Sequence, residues 1–505
     1  MILDDETGGR AARHGATLDS LFRRVGVRRA HGLALVDPPD RYRVSDGAPS
    51  SLTFADTDRA ISSMATQLRG LGLPTDALVA IQLGNTVESA IALLGVLRAG
   101  MIAVPLPLLW RKQELVAALA QVGAKAVITA SHVGDVRTVD IAVEAACELF
   151  TIRHVCSFGR NLPDGVVPLD LRAAGNVSQP PARAGHPAAH VAVVTFDATP
   201  DGPVAVARNH TELIAGGLAV ALETGHQQDG AILTAVPMSS FAGLALTLVP
   251  WLLSGGALHL HHPFEPETFA AQRREIGAGL VVVPGAALPA LGTPERPGGE
   301  TVAALWRTPE RLAAQPAWHG PASLVDVATF GELGLVAARR TPGNGPAALP
   351  YGVVGAPHAA AKDGTPLIEV LRTAEGTVGL RGAMVPTHAF PPGAEQGYAP
   401  FLAPDQAGLM DTGLACRRKL DTNTLTMSAP PPGLVTVGGC RLYKSALEEA
   451  VASVDVDATI VALPDATLGE RLAGSTRDRA AIIAALQAAG VNPLIANAFR
   501  PRAAA

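Results

Sequence analysis

The chain has 505 residues, of which 48% are hydrophobic and 17% are charged, and its formal net charge at pH 7 is −5. This length fits two or more domains, and the hydrophobic share excludes an intrinsically disordered chain. Because lysine and arginine form no dense block, we do not expect nucleic acid or an anionic membrane as the main partner.

The first part of the chain alternates predicted helices and strands. The predicted helices are Thr17–Val25, Asp56–Leu71, Thr86–Ala99 and Gln113–Val122. The predicted strands are Gly32–Val36, Leu78–Leu83, Ile102–Pro105 and Ala126–Thr129. Gly100 follows the third helix, where a C-cap glycine is typical. This alternation predicts a parallel sheet with helices on both faces.

The sequence does not predict a metal site, a disulfide framework or a membrane span. No C-x-x-C pair occurs among the four cysteines, which are Cys147, Cys156, Cys416 and Cys440. We interpret His259 and His261 as surface residues at a strand end, since no carboxylate or cysteine stands nearby at ligand spacing. The most apolar window, Leu244–Leu260, contains Pro250 and predicts a buried helix followed by a strand. Residues 1–15 lack the apolar core of a signal peptide, so we expect a cytoplasmic protein.

Residues 195–210, which read TFDATPDGPVAVARNH, lie between an apolar run and a helical pattern that begins at about Glu212. We predict a strand, a loop of small residues and a helix, a shape whose N–H groups can hold a phosphate. The loop nevertheless lacks the usual phosphate-binding residues. It has a single glycine, Gly202, two acids, Asp197 and Asp201, and Val204 where a lysine would meet the charge.

This stretch resembles the phosphate loop of the adenylate-forming superfamily, which contains acyl-CoA synthetases, peptide-synthetase adenylation domains and luciferases. The family loop reads T-S-G-T-T-G-x-P-K-G-V-x-x-T-H and is matched here, without gaps, by Thr199, Pro203, Val206 and His210. The leading glycines are replaced by Ala198 and Asp201, and the lysine by Val204. Residues 51–107 resemble the first conserved block of acyl-CoA synthetases, including a helix that ends in L-R-A-G before a strand that ends in V-P-L.

The resemblance implies an α/β fold with two domains. The large N-terminal adenylate-forming domain would have parallel sheets sandwiched by helices plus a distorted β-barrel, and the C-terminal domain would be a small, shortened α+β unit. We place the AMP-binding domain at residues 1–428, a Pro-rich hinge at 429–433 and the truncated C-terminal domain at 434–505. Three consecutive prolines fix φ in that hinge and favour a rigid spacer.

The resemblance also implies the positions of the site residues. On the nucleotide side they are Thr199, Gly202, Pro203, His210, Phe330 and Gly331. On the acyl side, where the family has P-M-F-H-x-x-G-L, they are Ser239, Ser240, Phe241 and Gly243. By the same comparison the cofactors are ATP with magnesium and CoA, and the small-molecule partner is a carboxylic acid or acyl group.

Several charged groups of the family site are replaced. The magnesium-binding glutamate of the family's Y-G-x-T-E loop is Gly334, the ribose-binding aspartate is Leu414 and the hinge arginine is Pro430. The lysine of the terminal loop has no counterpart, since the last lysine of the sequence is Lys444. Adenylation depends on charge stabilisation by such groups, and losing one electrostatic contact typically lowers the rate by roughly 10²–10³.

Two functions stay open on this basis. The first is an AMP-forming acid–CoA ligase in which Arg208 and Glu332 are the candidate catalytic substitutes. The second is a non-catalytic pseudo-ligase that binds an acyl group, a nucleotide or a protein partner. A third reading, a gene without a selected function, is opposed by the intact apolar periodicity, which a decaying sequence would lose.

Overall fold

The computed structural model describes residues 15–173, 186–291, 299–355, 364–387, 402–465 and 467–501. The prediction that residues 1–15 form no signal peptide therefore lies outside the described residues, apart from residue 15. The described residues form four β-sheets, two of them mainly parallel and flanked by helices. This arrangement confirms the predicted α/β fold class.

The first mainly parallel sheet has seven strands. In spatial order they are Val167–Pro168, His154–Phe158, Ala126–Ala130, Leu78–Ile81, Ile102–Pro105, Val191–Thr199 and Gly202–Asn209. The last pair is antiparallel, and the other neighbours are parallel. Most of its strands are short apolar runs with buried side chains on both faces, as is typical of parallel sheets covered by helices.

The second mainly parallel sheet has eight strands. In spatial order they are Gly334–Arg339, Ser323–Phe330, Thr301–Trp306, Leu280–Pro284, Ile232–Thr234, Leu258–Leu260, Leu33–Val36 and Ser51–Thr53. The two edge strands run antiparallel to their neighbours. The strand Thr301–Trp306 was not among the predicted strands, although its sequence TVAALW is a short apolar run of the kind that forms a buried strand.

Helices pack against these sheets. The longer ones are Leu18–Arg28, Phe54–Gly70, Val87–Arg98, Lys112–Val122, Thr138–Glu148, His210–Thr224, Pro266–Ile276, Lys444–Ala452 and Arg479–Ala488. Short helical segments are Arg41–Arg43, Pro187–Ala189, Phe241–Gly243, Val249–Ser254, Gly285–Ala290, Pro309–Leu312 and Pro493–Asn497, with a π-helix at Leu244–Leu248. Across the part of the chain that is described, no helix is long and apolar enough to cross a membrane.

Two antiparallel sheets follow in the C-terminal part of the sequence. The six-stranded sheet has the order Leu349–Pro350, Thr424–Ala429, Met410–Lys419, Thr377–Arg381, Ile368–Arg372 and Gly352–Val354. The four-stranded sheet has the order Cys440–Tyr443, Leu434–Val437, Gly469–Ser475 and Thr459–Asp465. The second of these has its own apolar core, drawn from residues 435–499. The domain bounds 1–428, 429–433 and 434–505 stay a prediction.

The interpretation of His261 as a surface residue is wrong. Its side chain is buried, Nδ1 donates to Gln272 Oε1 at 2.9 Å, and Nε2 accepts from the Glu265 N–H at 3.2 Å. A histidine whose two nitrogens both find partners can be buried without a metal. The sequence offered no sign of these partners, because Gln272 lies on the following helix.

Candidate functional site

The stretch around residues 195–210 forms a β-hairpin, so the predicted small-residue loop is wrong. Val191–Thr199 pairs with Gly202–Asn209, and only two residues, Pro200 and Asp201, separate the strands. Proline at the second position of a turn, followed by aspartate and glycine, is a strong turn signal that the sequence does contain. The predicted nucleotide residues Thr199, Gly202 and Pro203 therefore lie at the end of a closed hairpin, where Thr199 Oγ1 donates to Gly202 O at 2.7 Å.

His210 is the first residue of the helix that follows the hairpin. Asn209 caps this helix together with Glu212, because each side chain accepts a hydrogen bond from the other residue's backbone N–H at 2.9 Å. The buried His210 ring accepts from the Leu18 N–H at 3.3 Å through Nδ1. His210 thus joins the first described helix to the hairpin, and its role in nucleotide binding stays a prediction.

A tight turn at residues 331–333 lies beside the hairpin. Phe330 and Gly334 pair across it, and Gly331 has the left-handed φ of +58°. The Glu332 N–H donates to Asp197 Oδ2 at 2.9 Å, and Glu332 Oε2 accepts from the Phe241 N–H at 2.7 Å. The turn thereby connects the predicted nucleotide side with the predicted acyl side.

Arg208 is the central cation of this region. Its side chain is 1% exposed, Nη2 donates to the backbone oxygen of Glu332, and its guanidinium lies 3.8 Å from the centroid of the Phe241 ring. Its Nε and Nη1 have no hydrogen-bond partner among the described residues. Burial lowers the pKa of Arg208 to about 10, with Glu332 as the first opposing charge, so the guanidinium remains protonated at neutral pH.

The predicted acyl residues are packed tightly. Ser240 Oγ accepts from Arg307 Nη2 at 2.9 Å and from the Gly243 N–H at 3.2 Å, and Phe241 is fully buried. Ser239, beside them, is half-buried. Arg307 was not among the predicted site residues, and it follows the strand Thr301–Trp306, which was not predicted either. Burial lowers the pKa of this arginine, and the charge of Glu332 opposes that effect.

Arg441 brings the C-terminal sheet into the site. Its Nη1 lies 2.9 Å from Asp197 Oδ1 and 3.3 Å from Asp197 Oδ2. The neighbouring Gly439 lies against Arg307, where a Cβ would be 2.7 Å from that side chain's Cδ. We call these five charged residues the arginine–carboxylate cluster, and its members are Arg208, Arg307, Arg441, Asp197 and Glu332.

Comparison with known proteins identifies the family to which this chain belongs. Residues 33–287 match the sequence model of AMP-binding enzymes. The chain belongs to the AMP-binding enzyme family. Members of this family are ATP-dependent ligases that form acyl adenylates.

This member of the AMP-binding enzyme family has relatives that match it over most of its length. It is 26% identical over 491 residues to a 2-hydroxy-7-methoxy-5-methyl-1-naphthoate–CoA ligase of Streptomyces carzinostaticus. The match covers 92% of this chain and 85% of the relative. The amide bond synthetase McbA of Marinactinospora thermotolerans is 19% identical with a TM-score of 0.67, covering 94% of each chain. MbtA of Mycobacterium smegmatis is 23% identical with a TM-score of 0.63, covering 97% of this chain and 92% of that one. The two structural matches establish the fold.

The buried Glu332 of this family member predicts a pH dependence of stability. Burial raises the pKa of Glu332 above its ordinary value near 4.5, against the opposing effects of Arg208 and the Phe241 N–H. The folded state therefore holds this proton more tightly than the unfolded state, so its contribution to stability falls as pH rises above about 4.5 and through the folded pKa. Glutamine does not titrate. We therefore expect the stability of Glu332→Gln relative to the wild type to increase with pH across that window.

Urea unfolding at a series of pH values between about 4.5 and 8 measures this difference. Glu449→Gln, at an exposed position of the helix Lys444–Ala452, controls for the change of residue type. A stability difference between Glu332→Gln and the wild type that stays constant or falls with rising pH would contradict the assignment.

Proposed function

We propose that this chain is a non-catalytic member of the AMP-binding enzyme family, a pseudo-ligase that uses the fold for binding rather than for ATP-dependent activation. One observation carries the proposal: the charged side chains of the candidate site are bonded to one another and to the backbone. Asp197 binds Arg441, the Glu332 carboxylate accepts from the Phe241 N–H, and Arg208 donates to a carbonyl.

These contacts leave few of the groups that adenylation requires. In the hairpin, backbone groups pair across the two strands, whereas a phosphate loop presents them to the anion. Magnesium requires several oxygen ligands, but Glu332 is buried near the positive charges of Arg208 and Arg307. Within the described ranges, no group of three or more His, Cys, Asp or Glu side chains is arranged to hold a metal ion. ATP, magnesium and CoA therefore have less support here than the acyl ligand.

We propose an aromatic carboxylic acid as that ligand. The support is the similarity to a naphthoate–CoA ligase, which extends over 92% of this chain. A protein partner is the other ligand class that a pseudo-ligase would serve.

A second candidate function is an aromatic acid–CoA ligase with a rebuilt site. Arg208 favours it, because this arginine keeps its positive charge at neutral pH and has two N–H groups without a partner in the described structure. Such a cation could take over the charge stabilisation that the phosphate-loop lysine provides in the family.

Calorimetric titration of the purified full chain with Mg-ATP, and with ATP alone, separates the two functions. A pyrophosphate-exchange assay follows, with 2-hydroxy-1-naphthoate, salicylate and octanoate as candidate acids. For the pseudo-ligase we expect no magnesium-dependent heat at millimolar ATP and no acid-dependent exchange. We also expect 2-hydroxy-1-naphthoate to raise the unfolding temperature without ATP, since a ligand that binds the folded state stabilises it.

Magnesium-dependent binding of ATP in the micromolar range, together with acid-dependent exchange, would overturn the pseudo-ligase and establish the ligase. In that case Arg208→Met should abolish the exchange. Arg24→Met, which changes an exposed arginine on the helix Leu18–Arg28, is the matched control and should retain it.

A further inference from the structure

Asp197 occupies the centre of a set of hydrogen-bond donors. Oδ2 accepts from the Glu332 N–H at 2.9 Å and Oδ1 from the Ala198 N–H at 2.8 Å. Arg441 Nη1 lies within 3.3 Å of both oxygens. A buried carboxylate is therefore surrounded by two backbone N–H groups and a guanidinium, which are the donors that proteins commonly use to bind oxyanions.

Gly331 makes this close approach possible. A Cβ at that position would lie 2.1 Å from Asp197 Oδ2 and 2.0 Å from Arg441 Nη1, so any other residue would push the carboxylate and the guanidinium away from the turn. Gly331 also holds the left-handed φ of +58° that favours glycine. The turn backbone and the arginine thus place their N–H donors around the two oxygens of one carboxylate.

The charges nearby point in the same direction. Arg208, Arg307 and Arg441 contribute three cations, and the carboxylates that act on the first two are Glu332, Asp197 and, for Arg208, also Glu212. Arg208 is almost completely buried, and its Nε and Nη1 have no hydrogen-bond partner within the described residues. Removing the Asp197 charge would leave Arg441 without this ion-pair partner.

We propose that the Asp197 carboxylate occupies an oxyanion site in place of a phosphate or pyrophosphate group. Through its ion pair with Arg441, the same carboxylate holds the C-terminal sheet against the hairpin. This inference rests on the proposed function, because it names what closes the site of the pseudo-ligase. Two further contacts hold the C-terminal part elsewhere: Arg311 to Glu470 at 3.2 Å, and the Asn492 N–H to Glu114 at 3.0 Å. Loss of the Asp197 contact therefore opens the anion site and leaves the C-terminal part attached.

Asp197→Ser tests the proposal by calorimetric titration with pyrophosphate, without magnesium and without an acid. We expect this variant to bind pyrophosphate roughly tenfold or more tightly than the wild type, because charge-assisted hydrogen bonds become available to the ligand. Asp201→Ser removes the same charge from the exposed turn of the same hairpin and should leave the affinity at the wild-type value. In Asp197→Ser combined with Arg441→Gln, the gain should disappear.

An equal gain in Asp197→Ser and Asp201→Ser, no gain in Asp197→Ser, or a gain that persists without Arg441 would each overturn the proposal. Should Asp197→Ser lose cooperative unfolding, Asp197→Thr also removes the carboxylate, with a side chain that favours the strand Val191–Thr199, and answers the same question. Mg-ATP binding by the wild type would overturn the proposed function. It would leave this test intact, because the test compares pyrophosphate affinities between variants.

Discussion

Replacing Arg208 with methionine is expected to lower the free energy of unfolding by about 3 kcal/mol. The substitution removes a charged hydrogen bond to the Glu332 carbonyl and a cation above the Phe241 ring. It also leaves the buried Glu332 without its first opposing charge. Methionine has a similar length and keeps the apolar packing, so the loss measures charge and hydrogen bonding rather than a cavity. Urea unfolding at pH 7 gives the value.

The double variant Arg208→Met/Glu332→Gln distinguishes charge compensation from loss of packing. Removing both buried charges takes away the desolvation cost of each, and such paired replacements are often neutral or stabilising. We therefore expect the double variant to recover most of the stability that Arg208→Met loses. Arg137→Met, which breaks an exposed ion pair with Asp140, should leave the urea midpoint unchanged. A double variant as unstable as Arg208→Met would contradict the compensation.

The fold of residues 15–130 is predictable because several local signals agree. Thr86–Ala99 was predicted as a helix, and the structure has Val87–Arg98. Gly100 follows with φ of +82°, the left-handed conformation that a C-cap glycine adopts. The strand Ile102–Pro105 has the predicted bounds. Apolar periodicity, helix-end residues and short connections all favour the same elements, so their positions need no tertiary information.

The hairpin shows what happens when a family register is given more weight than local chemistry. The tripeptide Pro200-Asp201-Gly202 indicates a turn from its own physical properties: proline fixes φ, aspartate tolerates turn conformations and glycine adopts φ of +109° here. The flanking residues supply β-branched side chains, such as Val204 and Val206, which favour strands. A prediction from these residues alone would have given two paired strands instead of an open loop.

The arginine–carboxylate cluster could not be predicted from any local pattern. Asp197 and Arg441 are 244 residues apart in the sequence, and each is an ordinary charged residue within its own segment. Arg208 and Glu332 were proposed as substitutes in a catalytic site. The structure shows that Arg208 donates to the backbone carbonyl of Glu332. Only the packing of the hairpin against the 331–333 turn determines this contact. Single-sequence reasoning therefore found two members of the cluster but not their arrangement.

Gly243→Ala is expected to lower the free energy of unfolding by about 3 kcal/mol, at the upper end of the usual range for overpacking. Gly243 has helical φ and ψ of −60° and −42°, which alanine adopts readily, so backbone strain is not the cause. A Cβ at this position would lie 2.0 Å from the backbone oxygen of Pro237 and 3.2 Å from Met238 Cα. Backbone atoms cannot rotate away as the end of a side chain can, so the segment at Pro237–Met238 must shift.

Gly26→Ala provides the matched control with the opposite sign. Gly26 lies within the helix Leu18–Arg28, and a Cβ there would meet no atom within 4 Å. The same substitution should therefore stabilise the protein by roughly 0.5–1 kcal/mol through helix propensity. Urea unfolding of both variants gives the comparison. If Gly243→Ala were as stable as Gly26→Ala, the helix Phe241–Gly243 would have to lie farther from the Pro237–Met238 segment. The acyl side of the site would then be more open than its buried Ser240 and Phe241 indicate.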